Sequence, residues 1–522
     1  MEVKRVKYPI GLQSFKAIRE GGYVYVDKTE IAYNLTQDYK YVFLARPRRF
    51  GKSLLLSTLK SYFQGDRELF DGLAIQHLEK DWKKHPVFLI SFARLDNNDP
   101  ESVSSILKQQ FQVWEEEYGI VDNDKLKLGP RFSNLIRIAH KVSGEKVVVL
   151  VDEYDNPLIN TLDNDDFHEI NKSLLKSVYT NLKDLDEYIQ FGMLTGVSRF
   201  TQLSLFSGLN NLTDVSLFSD YSTICGITQK EFVDNFKIGI SKFAEKEKIS
   251  FEEAIDIFKQ NYDGYHFSEN LVDIYNPYSL LNALASSKIG NFWFETATPT
   301  FLIKRIHKEK IDLSFLFNQE TGGLSLTSED AKHSSLLALL FQTGYLTIKD
   351  HKKIAFRDKY LLGIPNREVK EGLMYGLAKE YQDKDSSKIL VSIERMKDSL
   401  ESGEPEVFLR ELKSYFIGIP YNVTQNVTEL FFENNTYIIL NLLGIYCNAE
   451  YVTSHGRIDL LIQTDEYVYV IEMKLDGSPK EALDQIESKD YALPFQFADK
   501  KIFKIGVNFS SETRNIENWI IK

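Results

Sequence analysis

Tyr41-Val-Phe-Leu-Ala-Arg-Pro-Arg-Arg-Phe-Gly-Lys-Ser-Leu-Leu-Leu56 decides the fold of the first half of this chain. The apolar run Tyr41–Ala45 predicts a buried strand, the Arg/Pro/Gly stretch a tight loop, and the residues from Ser53 onward a helix. The loop ends in Gly51-Lys52-Ser53, the last three residues of the phosphate-binding pattern G-x-x-x-x-G-K-[ST]. Gly51 lets the backbone approach a phosphate, and the loop N–H groups and helix N-terminus aim positive partial charge at it. The Lys52 ammonium would bridge the β- and γ-phosphates, and the Ser53 hydroxyl would hold Mg²⁺. The first Gly of the pattern is replaced by Arg46, and Pro47, Arg48, Arg49 and Phe50 fill the loop. The competing reading is a basic surface turn. The strand before it and the helix after it weigh for a nucleotide site spanning Arg46 to Ser53.

A second stretch completes that site. In Lys146-Val-Val-Val-Leu-Val-Asp-Glu-Tyr-Asp155, consecutive aliphatic residues predict a strand buried on both faces of a parallel sheet. Asp152 and Glu153 follow at its C-terminal end, where open α/β sheets bind ligands. This is the Walker B arrangement: Asp152 would hold Mg²⁺ and Glu153 would polarise the attacking water. A further strand, Tyr188–Thr195, ends in Thr195-Gly-Val-Ser-Arg199. Thr195 or Ser198 is placed to sense the γ-phosphate and Arg199 to sense charge; a plain polar loop is the alternative.

The 522 residues exceed a single core, and 43% apolar with 26% charged residues describes ordinary globular domains. No apolar run reaches membrane-spanning length and no secretory leader opens the chain. Two cysteines exclude a disulfide framework or a cysteine metal cluster, so a cytoplasmic protein with no membrane partner is expected. A net charge of −12 argues against a generally basic nucleic-acid coat.

Around these motifs, Gly21-Gly-Tyr-Val-Tyr-Val-Asp-Lys-Thr29 predicts a short strand and a helix start. Residues 226–416 read as mostly helical, with aromatic turns at Tyr262-Asp-Gly-Tyr-His-Phe267 and Tyr275-Asn-Pro-Tyr-Ser279. Leu336–Leu346 followed by Thr347-Ile-Lys349 suggests helix, turn and strand, as in a winged-helix lid. His266 among aromatics reads as structural.

The C-terminal region carries a second candidate site. Gly456–Thr464 and Tyr467–Lys474 predict a hairpin of two apolar strands. A two-residue turn, Asp465-Glu466, places Asp459 directly opposite Glu472; a three-residue turn would not. Strand alternation puts Lys474 on the same face as Glu472. Two facing carboxylates need a shared proton or a cation, and Mg²⁺ suits oxygen ligands. With Lys474 beside them, the group reads as a phosphodiesterase site, to which Glu429, in the first turn of a helix from about Thr428 to Leu443, would add an acid. The bland alternative is a solvent-facing hairpin.

The first half resembles the bacterial AAA-ATPase-like family in Tyr25-Val-Asp-Lys-Thr29, Arg46-Pro-Arg-Arg-Phe-Gly-Lys-Ser53, Val151-Asp-Glu-Tyr-Asp155, Thr195-Gly-Val-Ser198 and Ser207-Gly-Leu-Asn-Asn211. The C-terminal part resembles the PD-(D/E)xK nuclease domain: Asp459 matches the metal-binding Asp, Glu472-x-Lys474 the (D/E)xK pair, and Glu429 the helix acid. Gln485 and Tyr491 match the helix motif that follows, where the likeness implies that Gln485 supports the site. The expected architecture is an α/β multidomain chain. A P-loop NTPase parallel sheet (1–225) comes first, then a helical or winged-helix middle region (226–416), then a restriction-endonuclease-like α/β domain (417–522). The expected activity is ATP hydrolysis, with Mg²⁺, gating a Mg²⁺-dependent nuclease on DNA or RNA. The alternative is an ATP-driven switch whose C-terminal domain binds nucleic acid or a partner without cutting. AAA-type relatives make a homo-oligomer the expectation to check.

Overall fold

The computed structural model describes residues 6–522 except 94, 96–98, 100, 122, 162–163, 200–211, 298–299, 310, 312, 314–318, 323–325, 327–335, 383–385, 418–428, 443–445, 454–455 and 497–498. The chain forms two compact units, Met1–Ala297 with Glu320–Arg367, and Thr298–Gln319 with Glu368–Lys522. The middle region 226–416 is shared between them.

The first unit is built on strands β1 (Tyr41–Ala45), β2 (Val87–Ser91), β3 (Val147–Asp152), β4 (Ile189–Gly196) and β5 (Thr213–Asp214). They form a parallel sheet in the order β2-β3-β4-β1-β5. Every residue of β1 and β3 is buried, as continuous apolar runs require when helices cover both faces. Phe43, Phe88, Phe111, Phe132, Val149 and Leu194 share one core cluster. Each such side chain contributes roughly 1.5–3 kcal/mol by leaving water. The register pairs Leu44 with Thr195 and Val151 with Leu194. Strand β4 therefore lies between the loop strand and the acidic strand, and the C-terminal ends of all three converge.

The predicted strand at Tyr23–Val26 is absent: this segment is irregular. Its helix does start at Thr29, where Asp27 Oδ1 accepts from the Thr29 amide at 2.9 Å. Strands β6 (Ile227–Thr228) and β7 (Ile274–Tyr275) pair antiparallel. The helices Gln229–Glu247 and Phe251–Tyr262 both open with capping boxes, Thr228 with Glu231 and Ser250 with Glu253. Strand β8 (Gln319–Gly322) joins a sheet with β9 (Thr347–Ile354) and β10 (Arg357–Gly363). Strand β9 thus extends five residues beyond the predicted Lys349 and turns back as a hairpin.

The second unit carries β11 (Tyr446–Thr453), β12 (Gly456–Gln463), β13 (Tyr467–Leu475), β14 (Lys501–Ser510) and β15 (Asn515–Ile521) in sequential order. Only β13 and β14 run parallel, and the helix Pro479–Ser488 connects them. One face of the sheet (Leu460, Ile462, Tyr469, Ile471) packs with Phe408, Phe432 and Ile439. The other (Val468, Val470) packs with Leu483, Ile486 and Tyr491. No helix among the described residues is long and apolar enough to cross a membrane.

Candidate functional site

In the first unit the loop from Arg46 to Gly51 joins β1 to the helix Lys52–Phe63. Gly51 sits at φ 93°, a left-handed conformation that glycine takes at little cost, and so turns the chain into the helix. The loop's side chains divide sharply. Arg46 is buried, donating to the carbonyls of Ala45 and Ser216 at 2.8 Å and of Tyr221 at 3.0 Å, with its guanidinium 4.3 Å above the Phe267 ring. Phe50 is buried edge-on against Tyr265 and Phe267. The side chains expected at Arg46 and Phe50 to meet a nucleotide instead fasten the loop's underside to the protein, because carbonyls there take the Arg46 guanidinium and aromatic rings take Phe50. The Pro47 ring lies against Gly344.

Arg48, Arg49, Gly51, Lys52 and Ser53 line a cleft of about 450 Å³, together with Glu153, Asp155, residues of Pro9–Gln13, Pro277 and Tyr278. Arg49 lies 4.8 Å over the Tyr278 ring. Lys52 is buried, donating to the carbonyls of Arg46 at 2.8 Å and Pro47 at 2.9 Å, and burial pulls its pKa below the ordinary lysine value. Those two carbonyls keep the ammonium hydrogen-bonded at the mouth of the loop.

Asp152 ends β3, and Thr195 Oγ1 on β4 donates to its Oδ1 at 2.8 Å. Glu153 sits at φ 54°, a backbone region costly for a non-glycine residue, and burial then the neighbouring Asp152 charge raise its pKa. The sequence reading missed Asp155. It is buried, and its Oδ2 accepts from the Ser198 amide and hydroxyl at 2.6 Å and from the Val197 amide at 3.0 Å. The Asp-Glu-Tyr-Asp spacing was the available signal. A Cβ on Gly196 would come within 2.6 Å of Asp155 Oδ1, so this close approach needs glycine. Ser198 is thereby committed to Asp155. Arg199 is committed to Asp214, Nε to Oδ2 at 2.7 Å, and does not line the cleft. The cleft walls from Pro277 and Tyr278 were also missed, although Tyr275-Asn-Pro-Tyr had stood out as a turn. His266 is held by the Ile348 carbonyl at 2.6 Å and by Asp273 at 2.8 Å, a structural role.

In the second unit, β12 and β13 pair Leu460 with Ile471, Leu461 with Val470 and Gln463 with Val468. This is the register of the two-residue turn, and it brings Asp459 to the level of Glu472. Asp459 Oδ2 accepts from the Met473 amide at 2.8 Å. Glu472 is fully buried, with Oε1 3.4 Å from Lys474 Nζ and in contact with the Gln485 amide. Glu472 Oε2 is buried without a hydrogen-bond partner. Burial, then the Asp459 charge, push the Glu472 carboxyl up to about 7. An orphaned buried carboxylate oxygen beside a second carboxylate is a donor set that fits a hard divalent cation. Tyr491 lies buried in the core beneath. Glu429 opens the helix Glu429–Leu442, but its side chain lies outside the described residues, as does the stretch Ser207 to Asn211.

Residues 9–206 match the family described as Predicted AAA-ATPase, and residues 427–519 match the PD-(D/E)XK nuclease superfamily. A curated relative, an uncharacterized protein in the vnfD 5′ region of Azotobacter chroococcum mcd 1, is 34% identical over all of this chain and 99% of its own length. Among solved structures, the Aeropyrum pernix ORC1 protein in complex with DNA aligns over 66% of this chain and 91% of its own, at 9% identity and a TM-score of 0.25, too loose a superposition to bear on mechanism. The chain belongs to the predicted AAA-ATPase-like family, with a PD-(D/E)XK nuclease superfamily domain at its C-terminus.

Proposed function

We propose that the protein binds and hydrolyses ATP in the cleft of its first unit and, with Mg²⁺, cuts phosphodiester bonds in nucleic acid at the Asp459–Glu472–Lys474 site, the nucleotide state controlling the cutting. The single observation that carries the nuclease half is the orphaned, buried Glu472 Oε2 facing a second carboxylate. The cleft around Lys52, Ser53 and Glu153 supports the ATPase half. Control by nucleotide is supported by both sites lying on one chain that passes between the units after Ala297, Gln319 and Arg367.

In the cleft, Lys52 would exchange the Arg46 and Pro47 carbonyls for phosphate oxygens, and Arg48 and Arg49 would add positive charge at the same end. Glu153, its proton affinity raised by burial, would orient and accept a proton from the attacking water. Thr195 on β4 holds Asp152, and Ser198, just past the end of β4, holds Asp155. An apolar slot lined by Val24, Val26, Ile227 and Phe236 shares Pro9, Gly51, Leu54, Pro277 and Leu281 with the cleft and suits a flat base. In the second unit, Asp459 and Glu472 would hold Mg²⁺ and Lys474 would orient the attacking water or meet developing phosphate charge. Gln485 positions the Glu472 carboxylate. Mg²⁺, when bound, supplies charge neutralisation and lowers the pKa of water.

Calorimetric titration with Mn²⁺ tests the second site without requiring turnover. Wild type should bind, and Glu472→Ala should lose binding at the second unit while retaining ATP binding. Equal Mn²⁺ binding by both would remove the basis of the nuclease reading and favour a C-terminal domain that binds without cutting.

A further inference from the structure

The hairpin of β9 and β10 has features that the ATPase fold does not use. Its base is anchored: Thr347 and Ile348 are buried, Lys349 Nζ donates to the Pro365 carbonyl at 3.0 Å, and the Thr347 hydroxyl accepts from the His266 amide at 2.7 Å. His351 Nε2 meets Asp358 Oδ1 at 2.8 Å, cross-bracing the two strands. From there the hairpin leaves the core, and residues 352–357 are all exposed. Eight residues of β9 reach about 27 Å at the usual rise per residue.

The composition of this arm contrasts with the chain as a whole. Residues 347–363 hold Lys349, Lys352, Lys353, Arg357 and Lys359 against Asp350 and Asp358, in a chain of net charge −12. Lys352 and Lys353 are 63% and 62% exposed. Their acidic neighbours stand at the edge of ion-pair range: Asp350 is 3.9 Å from Lys352, and Glu269 and Asp358 are 3.9 and 4.0 Å from Lys353. Lys359 lies 3.6 Å from Glu320. The ammonium groups of Lys352 and Lys353 keep most of their surface for another anion.

The tip adds an apolar group where water is most accessible. Phe356 is fully exposed, with Ile354 half-exposed beside it. Ala355 and Phe356 turn the hairpin at φ 48° and 63°. A two-residue turn of that kind strongly favours Asn-Gly, and an aromatic residue is among the poorest choices for it. The turn therefore sacrifices local preference to hold a ring out at the end of a braced, cationic arm.

We propose that this hairpin is a nucleic-acid-gripping arm: Lys352, Lys353 and Arg357 contact phosphates, and Phe356 stacks on, or wedges beside, a base. An apolar tip flanked by cations matches a polyanion whose bases offer flat apolar faces; a purely apolar partner would leave the cations without a role. The arm belongs to the first unit, Asp459 and Glu472 to the second. It shares with the proposed function only the reading that nucleic acid is the ligand.

Fluorescence anisotropy in EDTA, where cutting is excluded, tests it with labelled duplex DNA, single-stranded DNA and RNA of one length. Wild type should bind at least one of them. Phe356→Ala should weaken that binding roughly tenfold. The triple change Lys352→Ala, Lys353→Ala, Arg357→Ala should weaken it further and flatten the dependence of log K on log salt by about two to three units. A second variant, Ala355→Asn with Phe356→Gly, removes the ring while giving the turn its favoured residues; it should melt no lower than wild type yet bind as poorly as Phe356→Ala. Equal binding by wild type and the arm variants, or none by wild type, would overturn the proposal. Cleavage that persists with unaltered affinity in the arm variants would sink the arm and leave the nuclease reading standing. Binding through the arm without any cleavage in Mg²⁺ would do the reverse.

Discussion

The two charged sites solve the problem of buried charge in opposite ways. Around the first unit's cleft the protein itself supplies partners to the buried charges: Lys52 has two loop carbonyls, Asp155 has Ser198 and Val197, Asp152 has Thr195, and Arg46 has three strand and loop carbonyls. In the second, Glu472 is as deeply buried, but one of its oxygens has no partner, and the charge of Asp459 beside it has the same sign. The first site can stand closed on itself and must exchange internal hydrogen bonds for ligand. The second is electrostatically incomplete, so a cation is part of its stability as well as its chemistry.

The comparison is broken most severely at Glu472. Glu472→Ala should lower Mg²⁺-dependent phosphodiester cleavage by about 10³-fold or more, while ATP hydrolysis persists, read by gel assay and phosphate release. Lys52→Ala should lower ATP hydrolysis by about 10²–10³-fold without affecting Mn²⁺ binding at the second unit. If the first site is internally satisfied, Asp155→Ala should cost about 3 kcal/mol of stability in denaturant unfolding, because the buried donors of Ser198 and Val197 lose their acceptor. An unchanged midpoint would mean that the buried carboxylate contributes nothing.

Acidity sharpens the contrast. The Glu472 carboxyl rises from an ordinary 4.5 to about 7, so the folded, cation-free protein holds its proton more tightly than the unfolded chain. Its stabilising contribution is full below about pH 4.5 and is lost as pH climbs to about 7. With chelator, the melting temperature should fall across that window, and Mg²⁺ or Mn²⁺ should restore it at the upper end. Metal-dependent cleavage should in turn drop about tenfold per unit below pH 7 as protons compete with the cation. The smallest expected effect is Thr195→Val, which removes one buried hydrogen bond to Asp152 and should cost about 1 kcal/mol.

Much of both sites was readable from residues alone, for identifiable reasons. Continuous aliphatic runs fixed β1 and β3, and the turn Asp465-Glu466 fixed the β12–β13 register that brings Asp459 to Glu472. What pattern could not disclose was direction. Arg46 and Arg48 look alike in a basic loop, yet one turns inward to carbonyls and the other lines the cleft. The outer half of β9 was missed because Asp-His-Lys-Lys carries no apolar alternation: both faces of that segment meet water, and its pairing with β10 alone holds it extended. Asp155 was passed over because two acids already filled the expected roles, whereas its partners come from the residues just after β4, more than forty residues away.

The most direct test of the account is cleavage of labelled single- and double-stranded DNA and RNA in Mg²⁺, with and without ATP, by wild type, Lys52→Ala and Glu472→Ala side by side. Wild type should cut at a rate that changes with ATP, Glu472→Ala should not cut, and Lys52→Ala should cut at a rate that ignores ATP. A wild-type protein that cuts none of these substrates in any nucleotide state, or a Glu472→Ala protein that cuts as well as wild type, would contradict it.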